Sequence, residues 1–265
     1  MTLKVRELSI YPMKSGAAQK PDSVRVTPRG LEGDRLLMVV DELGGFVTQR
    51  EHPELALVRV AVDGDRIRLR LPSNAEVETR VLASSPPVEV RVWRSVCRAH
   101  DAGSSAAELL SEHLGRSVRL VRLDPAFERM VDEKYGRAFD HVSFADGFPL
   151  LAVTLASFDD LNSRLSAPVT IDRFRSNLVI EGAEPFEEDD WSHLEIGEAR
   201  FDVVKPCERC VMINVDQTTA ARTPEVLKTL GAYRLGELGI IFGQNLIPRR
   251  LGTIRVGDEV RALRV

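Results

Sequence analysis

The sequence predicts an α+β fold that is rich in strands and has a barrel-like C-terminal half. Short runs of Val, Leu and Ile that end at turn residues recur along most of the 265 residues, and such runs are typical of strands. Only three segments carry helical periodicity. They do not alternate with the strands as they would in a doubly wound sheet, so we expect sheets that pack with few helices.

The clearest strand signal is a hairpin that turns at Asp63 and Gly64. After the turn, arginines at positions 66, 68 and 70 alternate with apolar residues at 67, 69 and 71, which is the pattern of a strand with one buried face. We expect these arginines to be solvated rather than to bind an anion. Further strands are predicted at 3–12, 35–41, 55–62, 86–93, 118–123, 177–180, 194–204, 211–215 and 253–263.

Three helices are predicted between these strands. The first opens with a capping box from Ser105 to Glu108 and stops at Gly115. Ser157 is the predicted cap of the second helix. The third begins at 223–224, with a proline in its first turn, and ends before Gly231.

Composition and charge indicate an ordinary cytoplasmic protein. The net charge of −4 argues against a general nucleic-acid surface, and no apolar run approaches the ~18 residues that span a bilayer. The N-terminus resembles a strand rather than a signal peptide. Three cysteines do not make a disulfide framework and fit a reducing compartment. We expect two parts, 1–124 and 125–265, divided near Asp124-Pro125, after the first helix and the strand that follows it.

Cys207 and Cys210 form a C-x-x-C pair directly after a Lys-Pro turn. A thiolate is a soft metal ligand and a strong nucleophile, and the neighbouring Lys205 and Arg209 favour that ionised form. A zinc site would need about four ligands. The five histidines are scattered without ligand spacing, so zinc is disfavoured, and a small buried thiol is the alternative for either cysteine.

Four further segments place polar residues or glycines at predicted strand ends: 10–16, 30–35 with 48–50, 143–150 with 173–180, and 242–245 near the cysteine pair. Together with this pair, the ordered stretches IYPMKS, DLNSRL, FRSNLVI, PCERC and GTIRVGD resemble the MOSC family. The branch that they resemble contains the mitochondrial amidoxime reducing component and its bacterial relatives. The resemblance runs from about residue 3 to 263.

This resemblance implies a MOSC β-barrel-like domain preceded by an N-terminal β-barrel or α+β subdomain. It also implies a molybdenum cofactor (Mo-molybdopterin) held between the two halves, and no pyridoxal phosphate. In the family the second cysteine of the pair ligates the metal, which carries over to Cys210. Molybdenum held by a dithiolene accepts a further soft sulfur donor. We expect Cys207 to lie behind the ligand or to be buried.

The cofactor's phosphate and pterin require fixed donors, and the sequence offers candidates for both. Arg175 is the candidate for the phosphate because a guanidinium matches phosphate oxygens. The Asp146 turn could add backbone N–H groups, with Gly147 and Phe148 standing where the family usually has a small hydroxyl residue. Seven further residues stand at positions that match functional residues of the family. Lys14, Ser15, Arg35, Asn177 and Arg209 match cofactor-binding residues, and Phe242 and Gly243 match residues that close over the site.

Four of these candidates have simpler explanations. Phe242 could equally belong to the hydrophobic core. Arg35 would be structural if it only paired with Asp34 or Glu32, and Lys14 would be a solvated turn residue. Asp146 is a possible general acid, but a turn-capping carboxylate is the expected role.

The implied activity is reduction of a small N-hydroxylated or N-oxide substrate, in which two electrons and two protons release the amine or amidine and water. The chain lacks the cysteines of an iron–sulfur cluster, so we expect a separate electron-donor protein, a reductase or a ferredoxin or cytochrome type. The alternative function is a carrier of the cofactor or of persulfide sulfur. A thiol–disulfide protein is disfavoured because 211–215 is predicted to continue as a strand, whereas redox C-x-x-C pairs open a helix.

Overall fold

Strands dominate the part of the chain that the computed structural model describes, residues 2–82 and 84–264. The strands are β1 (Lys4–Leu8), β2 (Ser23–Thr27), β3 (Gly30–Leu31), β4 (Leu37–Val40), β5 (Arg59–Asp63), β6 (Arg66–Arg70), β7 (Glu76–Arg80), β8 (Val88–Val92), β9 (Ser95–Asp101), β10 (Arg119–Leu123), β11 (Leu150–Thr154), β12 (Leu178–Glu181), β13 (Trp191–Ile196), β14 (Ala199–Glu208), β15 (Leu235–Gly236), β16 (Gly239–Arg250), β17 (Thr253–Arg255) and β18 (Val260–Arg264). The helices are α1 (Ser104–Leu114), α2 (Leu155–Ser163) and α3 (Glu225–Tyr233), and 3₁₀ turns lie at Pro53–Leu57, Ile171–Phe174, Glu187–Asp190 and Val211–Asn214.

The largest sheet has the order β1-β12-β11-β16-β14-β13-β18, with β15 paired to β16. The sheet nearly closes on itself, because β1 also contacts the turn that precedes β18. The Val5 amide donates to the Asp258 carbonyl at 2.9 Å, and Gly257 donates back to Val5 at 2.8 Å. Its interior is filled by apolar residues such as Leu8, Phe201 and Leu246, all fully buried. The predicted strand-rich α+β fold with a barrel is confirmed.

Three smaller sheets complete the molecule: β4-β10-β9-β8, β5-β6-β7 and β17-β2-β3. The predicted hairpin is β5–β6, with Val62 opposite Ile67 across the turn. Ile67 and Leu69 are buried and pack with α1, while the arginines of β6 are exposed. Arg68 pairs with Glu78 at 3.0 Å, so the prediction of a solvated outer face holds.

Strand pairing crosses the predicted division at Asp124-Pro125. β1 pairs with β12, and β2 pairs with β17. The N-terminal strands therefore contribute to the core of the barrel, where Val5 and Val26 pack with Leu150 and Ile254. The barrel and the N-terminal segments thus meet along a long shared boundary, and the division itself stays a prediction.

Several predicted strand and helix boundaries are corrected by the structure. Residues 211–215 are not a strand: Val211–Asn214 is a 3₁₀ turn that ends where the Asn214 side chain accepts the Leu227 amide at 3.0 Å. The predicted strand 55–62 begins as the 3₁₀ turn Pro53–Leu57. The predicted strand 194–204 is two strands, separated by Gly197 at a φ of 54°.

The helix ends also differ from the predictions. α1 begins after Gly103 without a side-chain cap, so the capping box is wrong, whereas its stop at Gly115 in the left-handed conformation is right. The cap of α2 is Thr154, whose hydroxyl accepts the Ser157 amide at 3.2 Å. α3 continues through Gly231.

Candidate functional site

One cavity lies between the barrel and the N-terminal segments, and it gathers ten of the twelve predicted site residues. These ten are Lys14, Ser15, Arg35, Asp146, Gly147, Phe148, Arg175, Asn177, Arg209 and Cys210. They come from separate segments that the strand pairing brings to one end of the barrel. Cys207 also lines the cavity, together with Thr48, Arg50, Glu208 and Arg173.

Both thiols of the C-x-x-C pair stand beside a guanidinium group. β14 carries Cys207 and ends at Glu208, and Cys210 then caps the 3₁₀ turn Val211–Asn214. Arg209 Nη1 lies 3.1 Å from the Cys207 sulfur, and Arg50 Nη2 lies 3.6 Å from the Cys210 sulfur. Cys207 is half-buried and on the cavity wall rather than behind Cys210. Residues 211–214 form a 3₁₀ turn instead of the predicted strand. A strand after the C-x-x-C pair therefore no longer argues against thiol–disulfide chemistry.

Arg175 is buried and carries an unpartnered donor. Its Nη1 donates to the Gly16 carbonyl at 2.7 Å, and its guanidinium lies 4.2 Å from the centre of the Tyr11 ring. Nη2 is buried without a hydrogen-bond partner. Burial and the nearby Arg35 lower the pKa of Arg175 to about 10 although Tyr11 opposes this shift. An anion in the cavity would satisfy the free donor and favour the charged guanidinium.

Arg35 is the second cation on this wall. Its Nη1 pairs with Asp34 at 2.6 Å and donates to Asn177 Oδ1 at 3.0 Å, and its Nη2 donates to the Arg175 carbonyl at 2.9 Å. Arg35 therefore does form the ion pair with Asp34 that a purely structural role would require. The same side chain also lines the cavity and fixes the backbone of Arg175. Glu32 pairs instead with Arg25.

Lys14 and Asp146 form an ion pair at the opposite side of the cavity. Lys14 is 6% exposed and donates to the Phe144 carbonyl at 2.9 Å and to Asp146. Burial lowers the pKa of Lys14, and Asp146 opposes that shift. The side chain of Asp146 is 53% exposed, and the charges of Lys14 and Arg50, with a hydrogen bond from Trp93, hold the pKa of its carboxyl well below its usual range.

Asp146 therefore has neither of the two roles predicted for it, a general acid or a turn-capping carboxylate. Its carboxylate accepts from Lys14, from Arg50 at 3.3 Å and from Trp93 Nε1 at 3.1 Å, so it joins segments that are distant in sequence rather than capping its own turn. A carboxyl held ionised has no proton to give at neutral pH, which speaks against a general acid. Lys14 is likewise no solvated turn residue.

Backbone strain is concentrated at this cavity. Ser15, Arg35 and Arg175 have φ values of 64°, 50° and 53°, in the left-handed region that residues with a Cβ rarely adopt. Such conformations cost about 1–3 kcal/mol each and persist where the surroundings enforce them, often at binding sites.

Phe242 and Gly243 do not line the cavity. Phe242 is fully buried, with its ring centre 4.4 Å from that of Phe174, which does form part of the wall. Gly243 lies in β16 with a φ of 76°, and a Cβ there would stand 2.6 Å from the Ala152 carbonyl oxygen. Both residues therefore lie behind the wall in this structure rather than over the cavity, and Phe242 belongs to the core, as its alternative interpretation expected.

Several residues at the cavity were not among the predicted site residues. Arg50 reaches Cys210 and Asp146, and its segment 48–50 was noted in the sequence only as a polar strand end. Arg129 donates to the Ser143 and Asp146 carbonyls at 2.8 Å and so fixes the loop that carries Gly147. Trp93 stands at a φ of 54° in the turn between β8 and β9, where glycine or asparagine is usual. In the sequence Trp93 is only the last residue of the predicted strand 86–93, so no signal marked it as a site residue.

The cavity suits an anionic organic group that brings further metal ligands. Its walls carry six cationic side chains and two carboxylates, with Arg175 Nη2 and Arg209 Nε buried and unpartnered. Cys207 and Cys210 are the soft donors on the wall, and a metal bound through one thiolate needs its other ligands from the bound group. The residues present therefore fit a phosphate-bearing cofactor with a soft metal.

The chain is similar to several other proteins along most of its length. It is 33% identical to mitochondrial amidoxime-reducing component 1 of Mus musculus, over 98% of this chain and 82% of that protein. It is 34% identical to molybdenum cofactor sulfurase of Danio rerio, over 87% of this chain and 30% of that protein. The solved YUAD protein of Bacillus subtilis matches with a TM-score of 0.48 and 13% identity, over 98% of this chain and 94% of that one.

Across residues 2–82 and 84–264, none of the helices has the length and apolar character needed to cross a bilayer. Family models match residues 2–117, as the MOSC N-terminal beta barrel domain, and residues 140–261, as the MOSC domain. These matches, and the likeness to the mouse relative over 98% of this chain, confirm the resemblance seen in the sequence. The chain belongs to the MOSC family.

Proposed function

We propose that this protein is a molybdenum-cofactor-dependent reductase of N-hydroxylated and N-oxide compounds, with Cys210 as the protein ligand of the metal. The supporting observation is the position of Cys210 on a cavity whose other walls carry six cationic side chains. The likeness to a protein named amidoxime-reducing component, over 82% of its length, gives the reaction class. A small N-hydroxylated molecule is the proposed substrate, and a separate protein is the proposed electron donor.

In this proposal the protein binds and orients the cofactor. Arg175 holds the phosphate through its free Nη2, since Nη1 is already bonded to Gly16. Arg35, Asn177 and Ser15 line the pterin side of the cavity. When bound, the cofactor supplies a metal that accepts the substrate oxygen and passes two electrons.

Arg50 and Lys14 have a different role in the proposal. Both pair with Asp146, and Arg50 also lies 3.6 Å from the Cys210 sulfur, so it keeps positive charge beside this atom. This charge lowers the cost of placing an anionic ligand in a partly buried cavity. Asp146 stays ionised and holds these two cations and Trp93 in place.

A carrier of cofactor or of persulfide sulfur is the second candidate. Cys207 favours it, because this thiol is half-buried, lines the cavity and lies 3.1 Å from a guanidinium. The likeness to a protein named molybdenum cofactor sulfurase covers only 30% of that protein. A carrier would bind cofactor or sulfane sulfur without turning over an N-hydroxylated substrate.

Metal and pterin analysis of Cys210→Ala tests the proposal. The protein is made in a host that synthesises the cofactor, and benzamidoxime reduction is followed with an artificial electron donor. We expect near-stoichiometric molybdenum and turnover in the wild type. Cys210→Ala should lose turnover because the metal loses its protein ligand. Cys97→Ala is the matched control, since Cys97 is 1% exposed and packs in the N-terminal core.

The outcomes separate the two candidates. Equal turnover in Cys210→Ala and the wild type would overturn the ligand assignment. Cofactor bound by the wild type without turnover of benzamidoxime or of a hydroxylated purine would favour the carrier.

A further inference from the structure

Two glutamines bridge the two sides of the cavity at its rear. Gln49 comes from the N-terminal part and is fully buried, and Gln217 follows the 3₁₀ turn Val211–Asn214. Gln49 Nε2 donates to Gln217 Oε1 at 3.1 Å, and Gln217 Nε2 donates to Gln49 Oε1 at 3.0 Å. The two amides thus form a reciprocal pair between segments 168 residues apart.

Backbone carbonyls fix the orientation of both amides. Gln49 Nε2 also donates to the Ser15 carbonyl at 2.8 Å, and Gln217 Nε2 also donates to the Val215 carbonyl at 3.1 Å. A carbonyl oxygen can only accept, so each NH₂ group must face its carbonyl. A flip of either amide would place oxygen against oxygen.

Because the Gln217 amide is fixed in this orientation, its oxygen faces Arg175 and accepts a hydrogen bond from it. Arg175 Nη1 donates to Gln217 Oε1 at 3.0 Å and to the Gly16 carbonyl at 2.7 Å. Both hydrogens of Nη1 are then used, and the face of the guanidinium lies on Tyr11. The orientation of Arg175 is therefore determined, and Nη2 is the amino group left without a partner.

We infer that Gln217, held by Gln49, is a positioning residue that orients Arg175 to bind the phosphate of the ligand. The inference rests on the proposed function in taking the ligand to be a phosphate-bearing cofactor. It assigns to the glutamine pair a role in anion affinity, beyond joining the two sides of the cavity. A purely structural pair would affect folding stability alone.

A double-mutant cycle between Gln217 and Arg175 tests this inference. Inorganic pyrophosphate is the probe, titrated calorimetrically into protein made without cofactor. The variants are Gln217→Leu, Arg175→Gln and the combination of both. We expect Gln217→Leu to weaken pyrophosphate binding about tenfold, the typical effect of losing one hydrogen bond to a charged group. In the Arg175→Gln background the same change should have no further effect.

Two more variants separate an effect on binding from a failure to fold and from a general effect of losing a glutamine. Gln217→Met has nearly the same length and no oxygen that would oppose the Val215 carbonyl, so it should fold even if the leucine variant does not, and it should weaken pyrophosphate binding as the leucine variant does. Gln19→Leu is the matched control, because Gln19 likewise donates its amide to a carbonyl, that of Val60 at 2.7 Å, away from the cavity. We expect wild-type affinity for Gln19→Leu.

The inference is overturned if the wild type does not bind pyrophosphate at millimolar concentration. It is also overturned if Gln217→Leu binds as the wild type does, or if its effect adds fully to that of Arg175→Gln. Molybdenum content from the cofactor-producing host is measured alongside. Pyrophosphate results as expected, with no molybdenum in the wild type, would reject the proposed function and leave the anion site in place.

Discussion

Gly147 and Gly243 differ in the space around their Cα atoms, although both were predicted to contact the cofactor. A Cβ at Gly147 would meet no atom within 4 Å. A Cβ at Gly243 would stand 2.6 Å from the Ala152 carbonyl oxygen, on a backbone with a φ of 76°. The protein itself therefore requires glycine at 243 but not at 147.

This difference predicts opposite results for two alanine substitutions. Gly243→Ala should lower the free energy of unfolding by at least about 2 kcal/mol, because of the clash and the left-handed backbone. Gly147→Ala should change it by less than about 0.5 kcal/mol, but should reduce molybdenum content if the cofactor approaches this backbone. Denaturant unfolding and metal analysis measure the two effects. Full metal content in a folded Gly147→Ala protein would show that no ligand approaches there.

Residue types pointed to part of the candidate site, namely the thiol pair, an arginine suited to phosphate and the glycine turns. Five other candidates came from the family resemblance, and they lie on the same cavity: Lys14, Ser15, Arg35, Asn177 and Arg209. The contribution of Gln49, Gln217 and Arg129 depends on partners distant in sequence, so a single sequence carries no signal for it. Phe242 shows the converse, since an aromatic residue next to a glycine in a strand is compatible with the core or with a site.

At the scale of elements, one buried carboxylate holds the start of α2. Glu188 lies in the 3₁₀ turn Glu187–Asp190, a run of four acidic residues, yet it is fully buried. Its Oε2 accepts from the Thr154 and Ser157 hydroxyls, both at 2.8 Å. Burial raises the pKa of Glu188, and these two hydrogen bonds oppose the shift only in part.

A raised pKa predicts how stability depends on pH. The folded protein holds the Glu188 proton more tightly than the unfolded chain does, so this group contributes most stability below the ordinary glutamate value of 4.5. The contribution is lost as the pH rises from there through the folded-state pKa, by up to about 1.4 kcal/mol per pH unit. Glu188→Gln removes this dependence. Its thermal midpoint should therefore rise relative to that of the wild type as the pH rises from 4.5 to 8.

The control for this prediction is Glu237→Gln, because Glu237 is exposed on the surface. Its stability should follow the wild type at every pH. Parallel pH curves for Glu188→Gln and the wild type would contradict the prediction.

A complete local pattern was decisive for the β5–β6 hairpin but not for the start of α1, where the capping box failed, and segments set by tertiary contacts were predicted wrongly. The β5–β6 hairpin has a turn signal and strict alternation, both local in origin. The segment 211–215 reads as a strand because of its apolar residues, but a hydrogen bond from the Leu227 amide to Asn214 fixes a 3₁₀ turn there. Thr154 caps α2 instead of Ser157 because β11 runs directly into the helix.

For the molecule as a whole, strand pairing suggests that 37–123 is an insertion into the barrel. Leu36 and Leu123 are neighbours, joined by a hydrogen bond of 2.9 Å from the Leu123 amide to the Leu36 carbonyl. β4 and β10, which begin and end the insertion, pair with each other. Three strands precede it: β1 pairs with β12 of the barrel, β2 pairs with β17, and β3 pairs with β2. A chain cut only at Asp124-Pro125 would therefore leave the barrel without its first strands.

Two deletion variants test this organisation. The first joins residues 2–36 to 124–264 through a short Gly-Ser linker, and it should fold, because the two ends already lie together and the barrel core keeps Val5, Val26 and Leu31. The second contains residues 124–264 alone, and it should aggregate, because the loss of β1 leaves the edge of β12 unpaired and opens the barrel. Size-exclusion chromatography and circular dichroism with thermal melting distinguish the two. A cooperative melt of monomeric 124–264, or an unfolded 2–36 fusion, would instead favour a self-contained C-terminal domain beginning near residue 125.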